Sequence, residues 1–197
     1  MRLRRTARDF AGFIEHFRPT ALLGLSTKGK AFDRRVIETM ARINDRPIIF
    51  ALSNPADHAE CTAEEAYNWS EGRALFAAGV AFPPVRFGDK MLVPGQGNNM
   101  YIFPAVGLAV YATRPRRITD EMFVAAARGV ADQVTQAELD CGLLYPPQSG
   151  ILQTELKTAQ RVAEVVFARG LAGVEPPSDL SAFLTGQMYK PEYPSLL

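Results

Sequence analysis

Two adjacent asparagines, Asn98 and Asn99, follow a Gly-Gln-Gly turn and precede an almost wholly apolar run in VPGQGNNMYIFPAVGLAV, residues 93–110. Their primary amides can donate and accept hydrogen bonds without carrying a charge. Beside the positive end of a following helix, such amides can orient an anionic or hydroxylated ligand. Pro104 requires that helix to begin, or to kink, close to it. The pair could instead cap the helix, and the pattern alone leaves both interpretations open.

A third asparagine, Asn54, lies near the end of the apolar run RPIIFALSNP, residues 46–55. Pro55 biases the residue before it toward extended backbone, so the amide can project from the carboxyl end of a buried strand. On this dipeptide alone, an Asx turn in which Asn54 caps its own backbone is favoured over a ligand contact.

The segment GLSTKGK, residues 24–30, matches the Gly-x4-Gly-Lys pattern of a phosphate-binding loop between a strand and a helix. The next residue is Ala31, so the hydroxyl group that would hold magnesium is missing, and no apolar strand ends in a suitable aspartate. A strand-to-helix turn at the edge of a sheet is therefore favoured. A P-loop phosphotransferase built on Lys30 is the weaker alternative.

Short apolar runs alternate with helical patterns in the first part of the chain. An amphipathic helix is predicted over residues 34–43, and Thr62 and Glu65 have the spacing of a helix capping box. A hairpin is predicted over residues 85–93. The apolar runs cover residues 20–26, 46–55 and 72–79. Strands separated by helices predict a parallel sheet with both faces covered, and hence an α/β fold.

Only helical patterns follow residue 119, including a second capping box at Thr135 and Glu138. The segment after Pro176 is rich in proline and serine and is interpreted as an arm lying over a surface. We therefore predict a Rossmann-like, open and mostly parallel sheet over residues 1–118, incomplete at its N-terminal side. Residues 119–197 are predicted to form a helical C-terminal extension and tail of the same domain.

Composition limits the function classes. The formal net charge of the 197 residues is +1, so neither a nucleic acid nor a membrane surface is expected as a partner. The two cysteines, Cys61 and Cys141, have no metal-ligand spacing and suit a cytoplasmic location. The arginine-rich start is interpreted as an amphipathic helix, with a mitochondrial presequence as the weaker alternative. Its apolar face would carry Leu3, Ala7, Phe10, Ile14 and Phe17.

Residues 46–79, followed by residues 93–110, resemble the cofactor-binding domain of malic enzymes. These enzymes oxidatively decarboxylate malate to pyruvate and CO2 with NAD or NADP and a divalent metal. The similarity continues through RRITDEMFVAAARGVADQV and LYPP, and covers the chain from about Asp9 to Tyr145. The expected ligands are therefore malate or pyruvate and a dinucleotide.

The resemblance also implies roles for single residues. It assigns Asn54, Asn98 and Asn99 to substrate binding on the nicotinamide side of the cleft. Thr27 and Lys28 depart from the small residues usual at their positions. The residues placed beside the dinucleotide are Leu25, Ser26, Leu52, Ser53, Asn54 and Asn99.

The family's tyrosine, lysine and metal-binding carboxylates lie N-terminal to the matched region, so the resemblance assigns no catalytic residue and no metal ligand to this chain. It implies a part of a malic enzyme that is inactive alone and needs a separate N-terminal catalytic region, with which Mg²⁺ or Mn²⁺ is expected. The preference for NAD or NADP stays open, because no ribose-binding acid is found. The alternative is a non-catalytic dinucleotide-binding or subunit-interaction module. An unpaired edge at strand 20–26 predicts a homo-oligomer.

Overall fold

The computed structural model describes residues 9–189, which form two compact units. The sheet unit contains the described residues up to Asn98 together with Val134–Tyr145. The helical unit contains Asn99–Gln133 and the described residues from Pro146 onward. The division suggested by the sequence, after residue 118, stays a prediction.

The strands are β1 (Ala21–Gly24), β2 (Ile48–Ala51), β3 (Leu75–Ala78), β4 (Val85–Phe87), β5 (Lys90–Leu92) and β6 (Gly95–Gln96). The helices are α1 (Phe10–Phe17), α2 (Arg34–Ile43), α3 (Ala63–Trp69), α4 (Phe103–Thr113), α5 (Asp120–Ala131), α6 (Gln136–Asp140), α7 (Ile151–Ala168) and α8 (Leu180–Gln187). Among the described residues, no helix is both long and apolar enough to cross a bilayer.

A four-stranded parallel sheet forms the centre of the sheet unit, in the order β1-β2-β3-β6. The α/β fold and the mostly parallel sheet are therefore confirmed. The predicted hairpin is also confirmed, because β4 pairs with β5 in antiparallel fashion. Strand β1 pairs only with β2 within residues 9–189, so its outer edge is unpaired there.

One face of the sheet is covered by α1, α2 and α3. Their apolar stripes bury Ile14, Ile37 and Tyr67 against Ile49 on β2 and Phe76 on β3. The opposite face is open at β1 in the described part of the chain, where Leu23 is 56% exposed. Within the sheet unit, α1, α2 and α3 therefore shield one side of the strands, and a cover for the second face stays a prediction.

Side-chain caps fix the starts of these helices. Asp9 accepts a hydrogen bond from the Gly12 amide at the start of α1. The predicted box at α3 is confirmed: Thr62 Oγ1 accepts from the Glu65 amide at 3.2 Å, and Glu65 Oε2 accepts from the Thr62 amide at 2.8 Å. The box at Thr135 and Glu138 is confirmed too. Leu3 and Ala7, predicted for the first helix, lie outside the described residues.

In the helical unit, α7 packs between α4, α5 and α8. Alanines such as Ala109 and Ala163 let the helix backbones approach, and Met122, Val166 and Leu184 fill the remaining core. The segment after Pro176, interpreted from the sequence as an arm lying over a surface, contains the helix α8. Its start is capped by Asp179, and the fully buried Leu184 anchors it to the core.

Candidate functional site

The carboxyl ends of four neighbouring strands form one edge of the sheet, which we call the carboxyl edge. The parallel ladder extends one residue beyond the strands: the amide of Leu52 donates to Gly24 O, that of Gly79 to Ala51 O, and that of Gly97 to Ala78 O, at 2.8–3.0 Å. Ligands of open α/β sheets bind at this edge. The carboxyl edge is therefore the candidate site.

Most residues selected from the sequence come together at the carboxyl edge. Leu25 and Ser26 follow β1 and are exposed, Leu25 at 72%. Because β3 separates β2 from β6, residues that follow these two strands start about 10 Å apart, which is twice the usual strand spacing. The residues that follow β2 and β6 are Leu52, Ser53, Asn54, Gly97 and Asn98.

Asn54 is exposed, and within residues 9–189 its side chain has no hydrogen-bond partner. It precedes a cis peptide bond to Pro55. The Asx-turn interpretation would require its amide oxygen to accept from a nearby backbone N–H, and the structure does not form that bond. The amide of Asn54 is thus uncommitted at the end of β2.

Asn98 and Asn99 do not take the cap position of the following helix. The residue before α4 is Ile102, which makes no side-chain capping bond, and Pro104 lies in the first turn as predicted. Asn99 begins a short 3-10 turn that ends at Tyr101. Its side chain is exposed and, among the described residues, has no hydrogen-bond partner.

The loop after β1 is fixed by the segment that precedes α3. The amides of Lys30 and Phe32 donate to Ala59 O and Glu60 O at 3.1 and 3.0 Å. The His58 ring nitrogen Nδ1 lies 2.9 Å from Thr27 O. Thr27 itself has a φ of +58°, a conformation in which a β-branched residue is strained. Glycine would adopt this backbone conformation without the strain.

The glycines of the phosphate-loop match serve internal packing. A Cβ atom on Gly24 would lie 2.3 Å from Glu60 Cδ, and one on Gly29 would lie 2.3 Å from Asp57 O. The Lys30 ammonium is bound by Glu65, with 2.7 Å between Nζ and Oε1. The observed geometry therefore favours the strand-to-helix turn over the P-loop alternative.

Glu60 is a functional candidate that the sequence reasoning missed. Its side chain is fully buried, and its two carboxylate oxygens accept from Ser53: Oε1 from the hydroxyl at 2.5 Å and Oε2 from the amide at 3.3 Å. Ser53 Oγ in turn accepts from the Thr27 amide at 2.9 Å. The buried hydroxyl group of Ser53 is thus hydrogen-bonded to other groups of the protein. The only sequence signal was an acid placed between Ala59 and Cys61.

Tyr145 is a second residue that the sequence reasoning did not assign to the site. A Cβ on Gly95 would lie 3.1 Å from its ring, and one on Gly97 would lie 3.3 Å from its hydroxyl oxygen. Its ring also lies 6.5 Å from that of Phe50, and burial raises its pKa. The space that the two glycines leave open is therefore filled by the side chain of Tyr145.

The side chains of the carboxyl edge fit a dinucleotide better than a metal ion. Leu25 offers exposed apolar surface for a flat ring, and Asn54 offers an uncommitted amide. In the part of the chain that the structure describes, no three His, Cys, Asp or Glu side chains converge as a metal site. Cys61 does not act as a nucleophile here, because burial raises its pKa to about 12.

Comparisons with known proteins identify a matching family and several relatives. The family model "Malic enzyme, NAD binding domain" matches residues 2–167. A chloroplastic NADP-dependent malic enzyme of Oryza sativa subsp. japonica is 46% identical over 183 residues, covering 92% of this chain and 29% of that protein. The NADP-dependent malic enzyme of Sus scrofa is 43% identical over 192 residues, covering 96% and 34%.

Solved structures show the same fold. The malic enzyme of Entamoeba histolytica superposes with a TM-score of 0.67 at 26% identity, over 85% of this chain and 32% of that one. The malic enzyme of Pyrococcus horikoshii gives a TM-score of 0.64 at 23% identity. The chain spans about a third of the length of the curated relatives it matches.

Proposed function

We propose, because this chain belongs to the malic enzyme family, that it provides cofactor and malate contacts for the oxidative decarboxylation of malate to pyruvate and CO2. The cofactor is NAD or NADP, and the names of the relatives favour NADP. When bound, the dinucleotide supplies the hydride acceptor. The observation that supports this proposal best is the exposed, uncommitted amide of Asn54 at the carboxyl end of β2.

Three amides orient the substrate in this proposal. Asn54, Asn98 and Asn99 donate hydrogen bonds to the carboxylate and hydroxyl oxygens of malate on the nicotinamide side of the cleft. Neutral amides fix the position of an anion while leaving the charge chemistry to other groups. The residues proposed to lie beside the dinucleotide are Leu25, Ser26, Leu52, Ser53, Asn54 and Asn99.

In this proposal, proton transfer comes from groups outside this chain. The reaction needs a base for the malate hydroxyl and an acid for the product, and these steps supply large rate factors. His58 is half-buried and bonded to Thr27, and the Lys30 ammonium is paired with Glu65. We therefore propose that a separate N-terminal catalytic region provides these groups and the ligands for Mg²⁺ or Mn²⁺.

We propose self-association through the open edge of β1. An unpaired strand edge is a template for pairing with another chain, and Leu23 and Leu25 are exposed beside it. Sedimentation at micromolar concentration tests this, and a monodisperse monomer contradicts it. The two cysteines are free thiols, which suits the cytoplasmic location that we propose.

The test of the proposed function is a pair of turnover assays. The purified chain is mixed with malate, Mn²⁺ and NAD or NADP, first alone and then with the N-terminal region of a relative. We expect background rates alone and turnover in the mixture. Robust turnover by the chain alone contradicts the need for a second region.

Asn54→Ala tests the substrate contacts in the active mixture. Leaving a buried ligand oxygen unpaired costs about 1–3 kcal/mol in transition-state binding, so kcat/KM should fall by a factor of about 5 to about 150. Asn68→Ala removes an exposed amide from α3 and is the matched control. If Asn54→Ala leaves the kinetics unchanged but lowers the thermal stability, Asn54 has a structural role instead.

The alternative is a non-catalytic dinucleotide-binding or subunit-interaction module. Fluorescence titration with NADH and NADPH distinguishes the proposed function from this alternative. Binding of either dinucleotide without turnover in the mixture supports the alternative, and binding of neither contradicts the proposed function.

A further inference from the structure

Glu60 is a buried carboxylate whose position carries a cost. A charged group removed from water destabilises a protein unless hydrogen bonds compensate it, and an apolar residue is often the more stabilising choice. Glu60 is 0% exposed, and among residues 9–189 its side chain accepts hydrogen bonds only from Ser53. An acid at this buried position therefore indicates a role other than packing the core.

The contacts of Glu60 connect the ends of two strands. Its side chain occupies the space above Gly24 at the end of β1, where a Cβ atom would come within 2.3 Å. Through Ser53 it fixes the residue directly before Asn54, after β2. Ser53 Oγ also binds the loop after β1, because it accepts a hydrogen bond from the Thr27 amide at 2.9 Å.

Asn54 depends on this support. Within residues 9–189 its side chain has no partner of its own, so only the backbone on either side can set its direction. Glu60 holds that backbone on the N-terminal side by a bond to the Ser53 amide. A small rotation at Ser53 would move the amide of Asn54 and release the Thr27 amide together.

We propose that Glu60 is a positioning residue, which sets the Asn54 amide and the loop after β1 for binding of the dinucleotide. This inference rests on the proposed function. Glu60 acts through Ser53 and does not itself touch a ligand, because it is enclosed by Ser53, Gly24 and the segment before α3.

The test uses the whole chain and five variants. Glu60→Gln keeps the size of the side chain but offers one acceptor oxygen in place of two, so either the amide or the hydroxyl of Ser53 loses its acceptor. Ser53→Ala breaks the same connection from the other side and serves if Glu60→Gln does not fold. Asn54→Ala and the double variant with Glu60→Gln complete a double-mutant cycle. Glu64→Gln, an exposed acid nearby, is the matched control.

Two measurements are made on each variant. Amide hydrogen exchange by NMR reports the Thr27 and Ser53 N–H groups without any ligand, with Ile49 and Phe76 as reference amides in the strands. Fluorescence titration with NADH and NADPH gives Kd. We expect Glu60→Gln to speed exchange at Thr27 and Ser53 and to weaken dinucleotide binding about tenfold, as one lost hydrogen bond does. Glu64→Gln should change neither.

The cycle distinguishes positioning from a general structural role. If Glu60 acts through Asn54, Glu60→Gln should weaken binding little further in the Asn54→Ala background, whereas independent effects add. Unchanged exchange, unchanged Kd or full additivity overturns the inference while the proposed function stands. If the unmodified chain binds neither dinucleotide, the proposed function fails, and the ligand part of the inference fails with it.

Discussion

Two clusters of largely buried polar groups, one in each unit, differ in what surrounds them. In the sheet unit, Glu60 holds loops at the carboxyl edge. In the helical unit, the Gln133 amide donates to Gly129 O at 2.7 Å and to Thr154 O and Thr158 Oγ1 at 3.2 Å, which joins α5 to α7. The first cluster lies at the carboxyl edge, directly before the exposed amide of Asn54, whereas the second joins two helices away from any strand end. A buried polar cluster therefore suggests function when it supports the edge of a sheet at which ligands bind.

The packing around glycine residues also differs between the two units. Gly79, at the end of β3, has no room for a side chain, since a Cβ atom would lie 2.2 Å from Leu52 O. Gly107, within α4, has no heavy atom within 4 Å of the Cβ position. The carboxyl edge is therefore closely packed, whereas this helix position is open.

Gly79→Ala and Gly107→Ala should have opposite effects on stability. The first forces backbone apart at the carboxyl edge and should cost about 3 kcal/mol of unfolding free energy, at the upper end for overpacking. The second should stabilise α4 by roughly 0.5–1 kcal/mol, because alanine is the better helix former. Trp69, the only tryptophan, reports unfolding of the sheet unit by fluorescence, and far-UV circular dichroism follows the helices. Equal effects of the two substitutions would contradict the difference in packing.

Gln133→Ala tests the second polar cluster. It removes one amide that serves three acceptors, and we expect a loss of about 1–2 kcal/mol from the helical unit. Dinucleotide affinity should stay unchanged, in contrast to Glu60→Gln. Gln153→Ala, an exposed residue on α7, is the control and should change little. Weaker binding in Gln133→Ala would show that the two clusters do not differ in function.

Periodic patterns made the sheet and most helices predictable. Alternating apolar runs and helices, two capping boxes and the Gly88-Asp89 turn are local signals, and the structure has all of them. Asn54 could be selected because Pro55 follows it at the end of an apolar run, and the resemblance to malic enzymes added weight. Its lack of an internal partner could be learned only from the structure.

The features that were missed depend on contacts between distant parts of the chain. Glu60 is buried because Gly24, far earlier in the sequence, leaves space for it. Tyr145 belongs to the carboxyl edge only because Gly95 and Gly97 accommodate its ring. The helix α8 is short and lies in a proline-rich segment, so its existence depends on the burial of Leu184. No local pattern reports such contacts.

Thr27→Gly should stabilise the sheet unit slightly. The positive φ of Thr27 costs roughly 1–3 kcal/mol for a β-branched residue, and glycine removes that strain at an entropic cost of about 0.5–1 kcal/mol. We expect a net gain of about 1 kcal/mol, measured by denaturant unfolding followed at Trp69. Lys28→Gly, in the same loop but without a positive φ, should destabilise instead. A loss of stability in both variants would mean that Thr27 is not strained.

The smallest expected effects concern two ion pairs. Burial raises the pKa of Glu65, but hydrogen bonds from Lys30 and Thr62 outweigh it and hold that pKa below the ordinary 4.5. In the helical unit, hydrogen bonds from Arg169 lower the pKa of the exposed Glu121. A lowered pKa in the folded state contributes stability above the unfolded pKa, and this stability is lost as the pH falls through the folded value.

We would measure unfolding midpoints from about pH 6 to about pH 3 for the unmodified chain, Glu65→Gln and Glu121→Gln. The three midpoints should converge at the acid end of this range. Glu65→Gln should show the larger difference above pH 4.5, because Glu65 also belongs to the capping box of α3. The effect of Glu121→Gln should nearly vanish in about 1 M salt, where exposed charges are screened within roughly 3 Å. Parallel pH profiles for Glu65→Gln and the unmodified chain would show that Lys30 and Thr62 do not stabilise the carboxylate, and would remove this distinction between the two units.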